Sequence, residues 1–352
     1  MMLPKKLGVV AVGAALALGL SACGGGSTPE SKPASETKSM TFVSFGGAYQ
    51  DAQKKAMTDP YAAANKITMN QDGPTDYAKI KAMVESGNVL WDVVDADPFF
   101  AIGNCDKYAE KLDFSVIDTS KMPKDFVSDC AVPSMTYSYV LMYNKEKYPT
   151  PPQNWRDFFD TAKFPGKRAL QNAAQGGGYE AALLADGVSK DKLYPIDYGR
   201  AEKKLDSVKK DLVFWDSGAQ SQQMMEKGEV DMLLAWTGRG YNAVKNGAPF
   251  APQWNENMAV YDVFMIPKGS KNKAAAMKFI AYATGAEAQA KLTETIPYSP
   301  INSDAKPTVD ALIQSFLSTQ PGVQEKGIVQ DQAWWAKNQD EATQKWTAWA
   351  AG

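Results

Sequence analysis

Three aromatic residues stand beside charged residues at the ends of apolar segments of the chain. They are Trp215-Asp216, Trp236 followed by Arg239, and Tyr261-Asp262. An aromatic face attracts an ammonium group, and a carboxylate pairs with the same group. An arginine can instead bind a carboxylate or phosphonate through two hydrogen bonds. The pairs therefore indicate recognition of a small amine or amino-acid-like ligand. The alternative for each is a half-buried core aromatic beside a surface charge.

Asp262 carries the strongest of these signals. It lies inside the apolar segment 260–266, VYDVFMI. An ionised carboxylate buried there without a partner is costly. A ligand ammonium is the partner that we expect.

The composition excludes much of enzyme and metal chemistry. The 352 residues include no histidine, which removes Ser-His-Asp and Cys-His catalysis and His-ligated zinc. No P-loop or calcium-loop spacing is present, and Gly176-Gly177-Gly178 lacks the rest of a dinucleotide fingerprint. Asp92, Asp95 and Asp97 are interpreted as a turn and a helix cap. We therefore expect no catalytic residues, no metal and no cofactor. An exported enzyme remains a remote alternative.

Strands alternate with helices along the chain. The apolar patterns predict strands over 40–45, 91–95, 137–143, 212–215, 231–236 and 260–266, and helices over 48–64, 76–85, 155–161, 201–210, 220–227, 274–283 and 331–350. This alternation is typical of α/β proteins with mainly parallel sheets, and the chain length suggests two domains or lobes. Ligands of such folds bind at the carboxyl ends of strands, where the aromatic–charge pairs stand.

The amino terminus has the pattern of an export signal. Lys5 and Lys6 precede an apolar run over 7–20, and small residues follow it. This pattern predicts a signal peptide over 1–22. LSAC (20–23) also resembles the bacterial lipoprotein box, which implies lipidation of Cys23. A flexible Gly/Ser/Pro-rich tether would then cover 23–39 and fix the protein to the membrane, facing the periplasm or cell exterior. A plain signal peptide is the alternative.

Two further cysteines and a C-terminal tryptophan pattern predict packing features. Export places Cys105 and Cys130 in an oxidising compartment, so one disulfide is expected, with two buried free thiols as the alternative. Tryptophans on one face of the last helix are expected to dock it on the body. The net charge of −2 gives no reason to expect nucleic acid.

Segments spread over 40–350 carry a resemblance to a known family. They are WDVV (91–94), YNK (143–145), PQNWRDFFD (152–160), FPGKR (164–168), FWDSGAQ (214–220), GEVDM (228–232), WTGR (236–239), IPKGSKN (266–272) and YSPIN (298–302). Together they resemble the spermidine/putrescine-binding family of periplasmic solute-binding proteins of ABC importers.

The resemblance implies a two-lobed periplasmic-binding-protein fold of type II-like architecture. Its two mainly parallel sheets would enclose a ligand cleft between the lobes, and hinge closure would bury the ligand. Lobe 1 is expected over 40–142 and 263–320, lobe 2 over 143–262, and a helical segment packing on the body over 321–352. The lobe crossings are expected near 139–148 and 260–268. The expected partners are the ligand and an importer permease, with the protein itself a monomer.

The resemblance also implies ligand-binding residues. Asp262 matches the family's amine-binding aspartate, and Trp236 matches its stacking aromatic, with Thr237 in place of the usual Asn. Glu180 is the nearest match to a second amine-binding acid. Further expected ligand-facing residues are Ser44, Gly46 and Gly47, together with Arg239, Tyr261 and Trp215.

The ligand is first predicted to be a polyamine such as putrescine or spermidine. Polyamine binders of the family carry an aromatic two positions before the aspartate, where this chain has Val260. Arg239 instead favours a ligand with an anionic end. The alternatives are an ω-amino acid such as γ-aminobutyrate, an aminophosphonate, an opine or thiamine.

Overall fold

The computed structural model describes residues 37–352. The predicted signal peptide, Cys23 and most of the predicted tether lie outside these residues. The strands of the described chain are β1 (Ser39–Val43), β2 (Thr68–Asp72), β3 (Val93–Ala96), β4 (Ala131–Asn144), β5 (Arg168–Gln171), β6 (Leu212–Trp215), β7 (Met232–Trp236), β8 (Phe250–Met265) and β9 (Ile328–Val329).

Helices connect nearly all of these strands. They are α1 (Gly47–Gln53), α2 (Asp59–Asn65), α3 (Tyr77–Ser86), α4 (Pro98–Gly103), α5 (Trp155–Phe159), α6 (Gly178–Ala185), α7 (Tyr198–Asp206), α8 (Gly218–Glu226), α9 (Thr237–Lys245), α10 (Lys273–Ala283), α11 (Ala286–Thr295), α12 (Ala311–Phe316) and α13 (Gln332–Ala351). A π-helical turn, Lys54–Thr58, joins α1 to α2. No helix of the described part is both long and apolar enough to cross a membrane.

Two groups of parallel strands are joined through the long strands β4 and β8. In the first group β1 pairs in parallel with β2 and β3, and in the second β5 pairs in parallel with β6 and β7. The carboxyl-terminal part of β8 continues the first group, whereas the carboxyl-terminal part of β4 continues the second. The α/β two-lobed fold is thus confirmed. In the described part of the chain, the antiparallel pairing of β4 with β8 joins the two groups into one continuous sheet, in the order β2-β1-β3-β8-β4-β7-β5-β6, with β9 paired to β8.

The register of β4 against β8 breaks between the two groups. Tyr139 pairs with Met258, but Leu141 pairs with Gln253, so residues 254–257 of β8 leave the ladder. Trp155 binds this excursion, because its Nε1 donates to the Glu256 carbonyl at 2.9 Å. We call residues 254–257 the β8 joint.

Most predicted elements agree with the observed ones to within a few residues, with two large exceptions. The strands predicted over 137–143 and 260–266 are the ends of β4 and β8, which begin at Ala131 and Phe250. The apolar runs mark only one end of each strand. Both strands cross between the groups, and their other halves carry polar residues that interrupt the apolar pattern.

Two packing predictions are confirmed. Cys105 and Cys130 form a disulfide. Trp335, Trp346 and Trp349 of α13 are buried against the body.

Candidate functional site

A small cavity with aromatic walls encloses the Asp262 carboxyl group. Its volume is about 10 Å³, roughly the space of one water molecule. We call its lining residues the aromatic box; they are Phe45, Tyr49, Met135, Tyr137, Trp236, Asp262 and Tyr298. A carboxylate among aromatic faces is an arrangement that attracts an ammonium group.

The long strands and the strand ends position this box. Met135 and Tyr137 lie two residues apart on β4, so they face the same side of the sheet, and Met135 is in register with Asp262 of β8. Trp236 is the last residue of β7, and Phe45 follows β1. The box therefore draws residues from both strand groups.

Asp262 is buried without full hydrogen bonding. Asp262 is 2 % exposed, and its Oδ1 atom has no hydrogen-bond partner. Burial raises the pKa of Asp262 well above its usual range, and the negative charges of Asp95 and Asp97 raise it further. A positive ligand group at Oδ1 would oppose all three effects.

Asp95 lies beneath the box as a well-bonded acid. Its carboxylate accepts hydrogen bonds from the Tyr49 hydroxyl at 2.5 Å, Gln53 Nε2 at 2.6 Å and the Ser134 hydroxyl at 2.7 Å. Ser44, one of the predicted ligand-facing residues, also donates to it, at 3.4 Å. Burial raises the pKa of Asp95 to about 6, although these hydrogen bonds act in the opposite direction.

Asp97 is the third acid of the cluster and precedes α4. The Tyr77 hydroxyl donates to its carboxylate. Burial raises the pKa of Asp97 to about 6, while this hydrogen bond lowers it. The interpretation of these acids as turn and cap residues fits Asp92, which accepts hydrogen bonds from Ser270 and the Thr41 amide. Asp97 is the N-cap residue of α4, whereas Asp95 lies within β3, and the charges of both raise the pKa of Asp262.

Arg239 of α9 connects the two strand groups. It is 1 % exposed, and its Nη2 donates to the Gly46 carbonyl at 2.9 Å. Glycines make room for it: a Cβ atom on Gly47 would lie 3.0 Å from Nη1, and one on Gly218 would lie 2.5 Å from Nε. Nε itself has no hydrogen-bond partner. The predicted residues Gly46 and Gly47 thus contact Arg239.

Tyr298 lies within electrostatic range of both charged groups. Burial raises the pKa of Tyr298; the Arg239 charge lowers it, and the Asp262 charge raises it. Asp262 lines the same small cavity as Tyr298, and the buried Arg239 is near enough to lower the pKa of Tyr298. This is the polarity that a small zwitterion requires.

A larger cavity of about 370 Å³ adjoins the box and shares Phe45 and Trp236 with it. Its other lining residues are largely uncharged and include Tyr77, Asp97, Tyr139, Gln171, Gln175, Asp216, Ser217, Gln339 and Thr343. They come from both strand groups and from α13. The cavity thus occupies the cleft between the groups.

Trp215 and Tyr261 pack near the site and, like Ser44, Gly46, Gly47 and Arg239, line neither cavity. Trp215 is buried behind Trp236, with ring centroids 5.2 Å apart and planes at 90°, and its Nε1 donates to the Leu234 carbonyl. Tyr261 stacks on Phe126 at 3.9 Å. Because side chains alternate along a strand, Tyr261 faces away from the side that Asp262 occupies.

Glu180 lies apart from both cavities. Its Oε1 accepts hydrogen bonds from the Tyr194 hydroxyl at 2.7 Å, Gln330 Nε2 at 3.0 Å and Trp335 Nε1 at 3.1 Å. These partners tie α6 to the segment that carries α13. The structure therefore places Glu180 in a packing interface, contrary to its expected position in the cleft.

Sequence reasoning missed most of the aromatic walls. Phe45, Tyr49, Tyr137 and Tyr298 line the box, and no local spacing brings them together. One signal was available: Tyr137 and Tyr139 share a face of a strand, and an aromatic pair on one face marks a surface that packs or binds.

Comparison with known proteins places these features in context. Residues 56–316 match the family model described as bacterial extracellular solute-binding protein. A γ-aminobutyric acid-binding protein of Pseudomonas aeruginosa is 34% identical over 326 residues, which cover 90% of this chain and 92% of that protein. A spermidine/putrescine-binding periplasmic protein of Salmonella typhimurium is 23% identical over 270 residues, covering 72% of this chain and 75% of the relative.

Solved structures give a similar result. The Atu4243-GABA receptor is 43% identical, with a TM-score of 0.81 over 89% of this chain and 97% of the receptor. The periplasmic binding protein AgtB of A. tumefaciens R10, solved with agropinic acid, is 38% identical, with a TM-score of 0.83 over 89% of this chain and 99% of AgtB. The proteins named for amino-acid-like ligands are thus more similar to this chain than the polyamine-binding relative.

Proposed function

Because the chain belongs to the bacterial extracellular solute-binding proteins, we propose that it binds an ω-amino acid of the γ-aminobutyrate type. Solute-binding proteins of ABC importers capture a small solute and deliver it to a permease. The ligand ammonium binds Asp262 inside the aromatic box, and the ligand carboxylate binds Arg239.

The unpartnered Oδ1 of buried Asp262 is the observation that carries this proposal. Asp95 and Asp97 lie close enough to Asp262 to raise its pKa. A bound ammonium relieves that repulsion and supplies the missing hydrogen bond. Aromatic faces exclude water, which strengthens the ion pair.

Arg239 distinguishes an ω-amino acid from a polyamine. Its buried guanidinium attracts a ligand carboxylate but repels the second ammonium of putrescine. The relatives named for γ-aminobutyrate, at 34% and 43% identity, support the same choice over the 23% identical polyamine binder. The ω-amino acid thus replaces the polyamine as the proposed ligand.

Calorimetric titration of the purified protein with γ-aminobutyrate and putrescine tests the ligand. We expect saturable binding of γ-aminobutyrate and at least tenfold weaker binding of putrescine. Tighter binding of putrescine would contradict the proposed role of Arg239.

Two variants test the assignment of the ligand's ends. Removing one partner of a buried charge pair costs about 2–5 kcal/mol, so Asp262→Asn should weaken γ-aminobutyrate binding by roughly 30-fold or more. Arg239→Gln should weaken it comparably but strengthen putrescine binding, because the charge that repels the second ammonium is gone. Asp118→Asn is the matched control, because this exposed acid lines neither cavity. Equal affinities of Asp262→Asn and the control would overturn the amine site.

A second candidate ligand class is an amino acid with a polar substituent, such as an opine. The observation that favours it is the adjoining cavity of about 370 Å³ with its amide and hydroxyl groups. Titration with an opine beside γ-aminobutyrate decides between the two classes.

The proposed function includes attachment to the membrane. LSAC (20–23) fits lipidation at Cys23, and the family is extracellular or periplasmic. A lipid anchor would keep the protein close to its permease.

A further inference from the structure

We propose that α13 is a strap that closes the cleft. It moves with the second strand group and contacts α4 of the first group only in the closed state. This contact slows ligand release. Only the measurement of ligand release rests on the proposed function. The amide-exchange measurement is made without ligand and does not depend on it.

The strap is fixed firmly to the second strand group. Trp335 is fully buried and donates from Nε1 to Glu180 of α6 at 3.1 Å. Trp346 is 2 % exposed, meets the Tyr179 ring edge to face at 5.1 Å, and donates to Asn172 at 3.2 Å. Separating these groups would expose two tryptophans and break buried hydrogen bonds.

The strap begins where the two strand groups join. β9 precedes it and pairs with β8 through Ile328 and Met258, next to the β8 joint. The Gln330 amide continues this pairing by donating to the Ala259 carbonyl at 3.1 Å. A rotation of one group relative to the other about this joint therefore carries the strap with it.

The contact of the strap with α4 is close, and no hydrogen bond joins the two helices in the described part of the chain. A Cβ atom on Gly103 of α4 would lie 2.9 Å from the Ala336 carbonyl oxygen and 3.5 Å from its Cβ. Phe99 of α4 and Gln339 of the strap line the cleft cavity on either side of this contact. Two helices that share no hydrogen bond can separate without leaving a donor or acceptor of that contact unpaired.

Opening the cleft must break one of the strap's two attachments. The Gly103–Ala336 contact is the one without hydrogen bonds, whereas Trp335, Trp346 and Trp349 of the strap each donate one to the second group. A contact made only in the closed state shifts the population toward that state. Since the ligand leaves through the open state, the contact lowers the release rate more than the association rate.

Gly103→Ala is the variant that tests the strap. The added methyl group would press on a backbone oxygen, so the strap must lift by a few tenths of an ångström. Gly199→Ala in α7 is the matched control, because its Cβ would meet only Asp197 at 3.8 Å. Both changes replace a helical glycine by alanine and therefore share the same effect on helix propensity.

Two measurements are made on both variants and on the unaltered protein. With γ-aminobutyrate as the probe, we expect Gly103→Ala to release ligand at least threefold faster, with the association rate within twofold. Without ligand, amide exchange in α4 and on the facing side of α13 should rise at least threefold, while exchange in α6 stays unchanged.

The outcomes separate the two proposals. Release and exchange equal to those of Gly199→Ala would overturn the strap, as would an equal rise in α6, which would mean that α13 detaches from its own group. If the unaltered protein binds no γ-aminobutyrate, the proposed ligand fails. The ligand-free exchange experiment then still decides whether the strap exists.

Discussion

Asp262 couples ligand binding to protonation. In the ligand-free fold its pKa is raised well above the usual range, so the carboxyl favours its proton. A bound ammonium favours the ionised form instead, so binding releases that proton. We expect γ-aminobutyrate affinity to rise with pH, by up to tenfold per unit in the range where Asp262 is protonated. Calorimetry in buffers of different ionisation enthalpy measures the protons released. Equal proton release by Asp262→Asn would contradict this assignment.

The buried acids Asp95 and Asp97 make the stability of the ligand-free protein depend on pH. Asp95 and Asp97 have folded-state pKa values of about 6, above the unfolded value of 3.8. The folded state therefore binds their protons more tightly, and the free energy of unfolding falls as pH rises from about 4 through 6. We expect this contribution to make the ligand-free protein less stable at pH 7.5 than at pH 5. Denaturant titrations at pH 5 and pH 7.5 measure this difference in the free energy of unfolding. In Asp262→Asn the stability lost between the two pH values should be smaller.

Gly218 makes a steric prediction about Arg239. Besides approaching Arg239 Nε, a Cβ atom on Gly218 would lie 2.6 Å from the Trp236 ring. Gly218→Ala should therefore displace both side chains and weaken γ-aminobutyrate binding by about tenfold or more. Alanine is the better helix former, so the free energy of unfolding should change little. Isothermal titration checks the affinity. An affinity equal to that of Gly199→Ala would show that Arg239 tolerates displacement.

At the scale of single residues, sequence reasoning identifies groups that conflict with their local surroundings. Asp262 was recognisable because an acid interrupts an apolar strand, and Arg239 because it follows an aromatic at a strand end. Phe45 and Tyr298 have no such conflict. They reach the box only because segments more than 200 residues apart meet.

At the scale of elements, short regular segments were predictable and long crossing strands were not. β6 was predicted with its observed bounds, Leu212–Trp215, because the sequence changes from apolar to charged at both ends of this segment. β4 and β8 change environment halfway along, so one apolar pattern could not cover either strand. α6 was missed because its uniformly buried residues show no helical period.

The α6–α13 interface predicts the effect of changing Glu180. Glu180→Gln keeps an acceptor for its three donors but removes the charge that strengthens those hydrogen bonds. We expect a lower melting temperature, with γ-aminobutyrate affinity within threefold of the unaltered protein. Thermal unfolding and calorimetry check both quantities. A loss of affinity as large as that of Asp262→Asn would place Glu180 in the ligand site after all.

At the scale of the whole molecule, export and anchoring predict where the protein is found. If Cys23 is lipidated, Cys23→Ala should move the protein from the membrane fraction to the soluble fraction. The hydrophobic mass shift of the mature protein should disappear at the same time. Fractionation and intact-mass measurement check this. Retention of the variant in the membrane with an unchanged mass shift would mean that the anchor lies elsewhere.

The two-lobed organisation was predictable only through the family resemblance. Composition and element order indicate an α/β protein of two parts, but they do not show where the chain crosses. The predicted lobe bounds 40–142, 143–262 and 263–320 stay predictions. The observed break of register between Tyr139 and Leu141 supports a boundary close to residue 142, where the first part of lobe 1 is predicted to end.

The β8 joint contains a natural optical probe. Trp254 is half-buried in the segment that leaves the ladder, and its carbonyl accepts a hydrogen bond from Asn257 at 2.9 Å. Indole emission shifts in colour with exposure to water, and rotation at the joint changes that exposure. In the proposed closure, the protein therefore carries a fluorophore at the joint between its two strand groups. An environment-sensitive signal from Trp254 could turn this solute receptor into a label-free sensor of its own ligand.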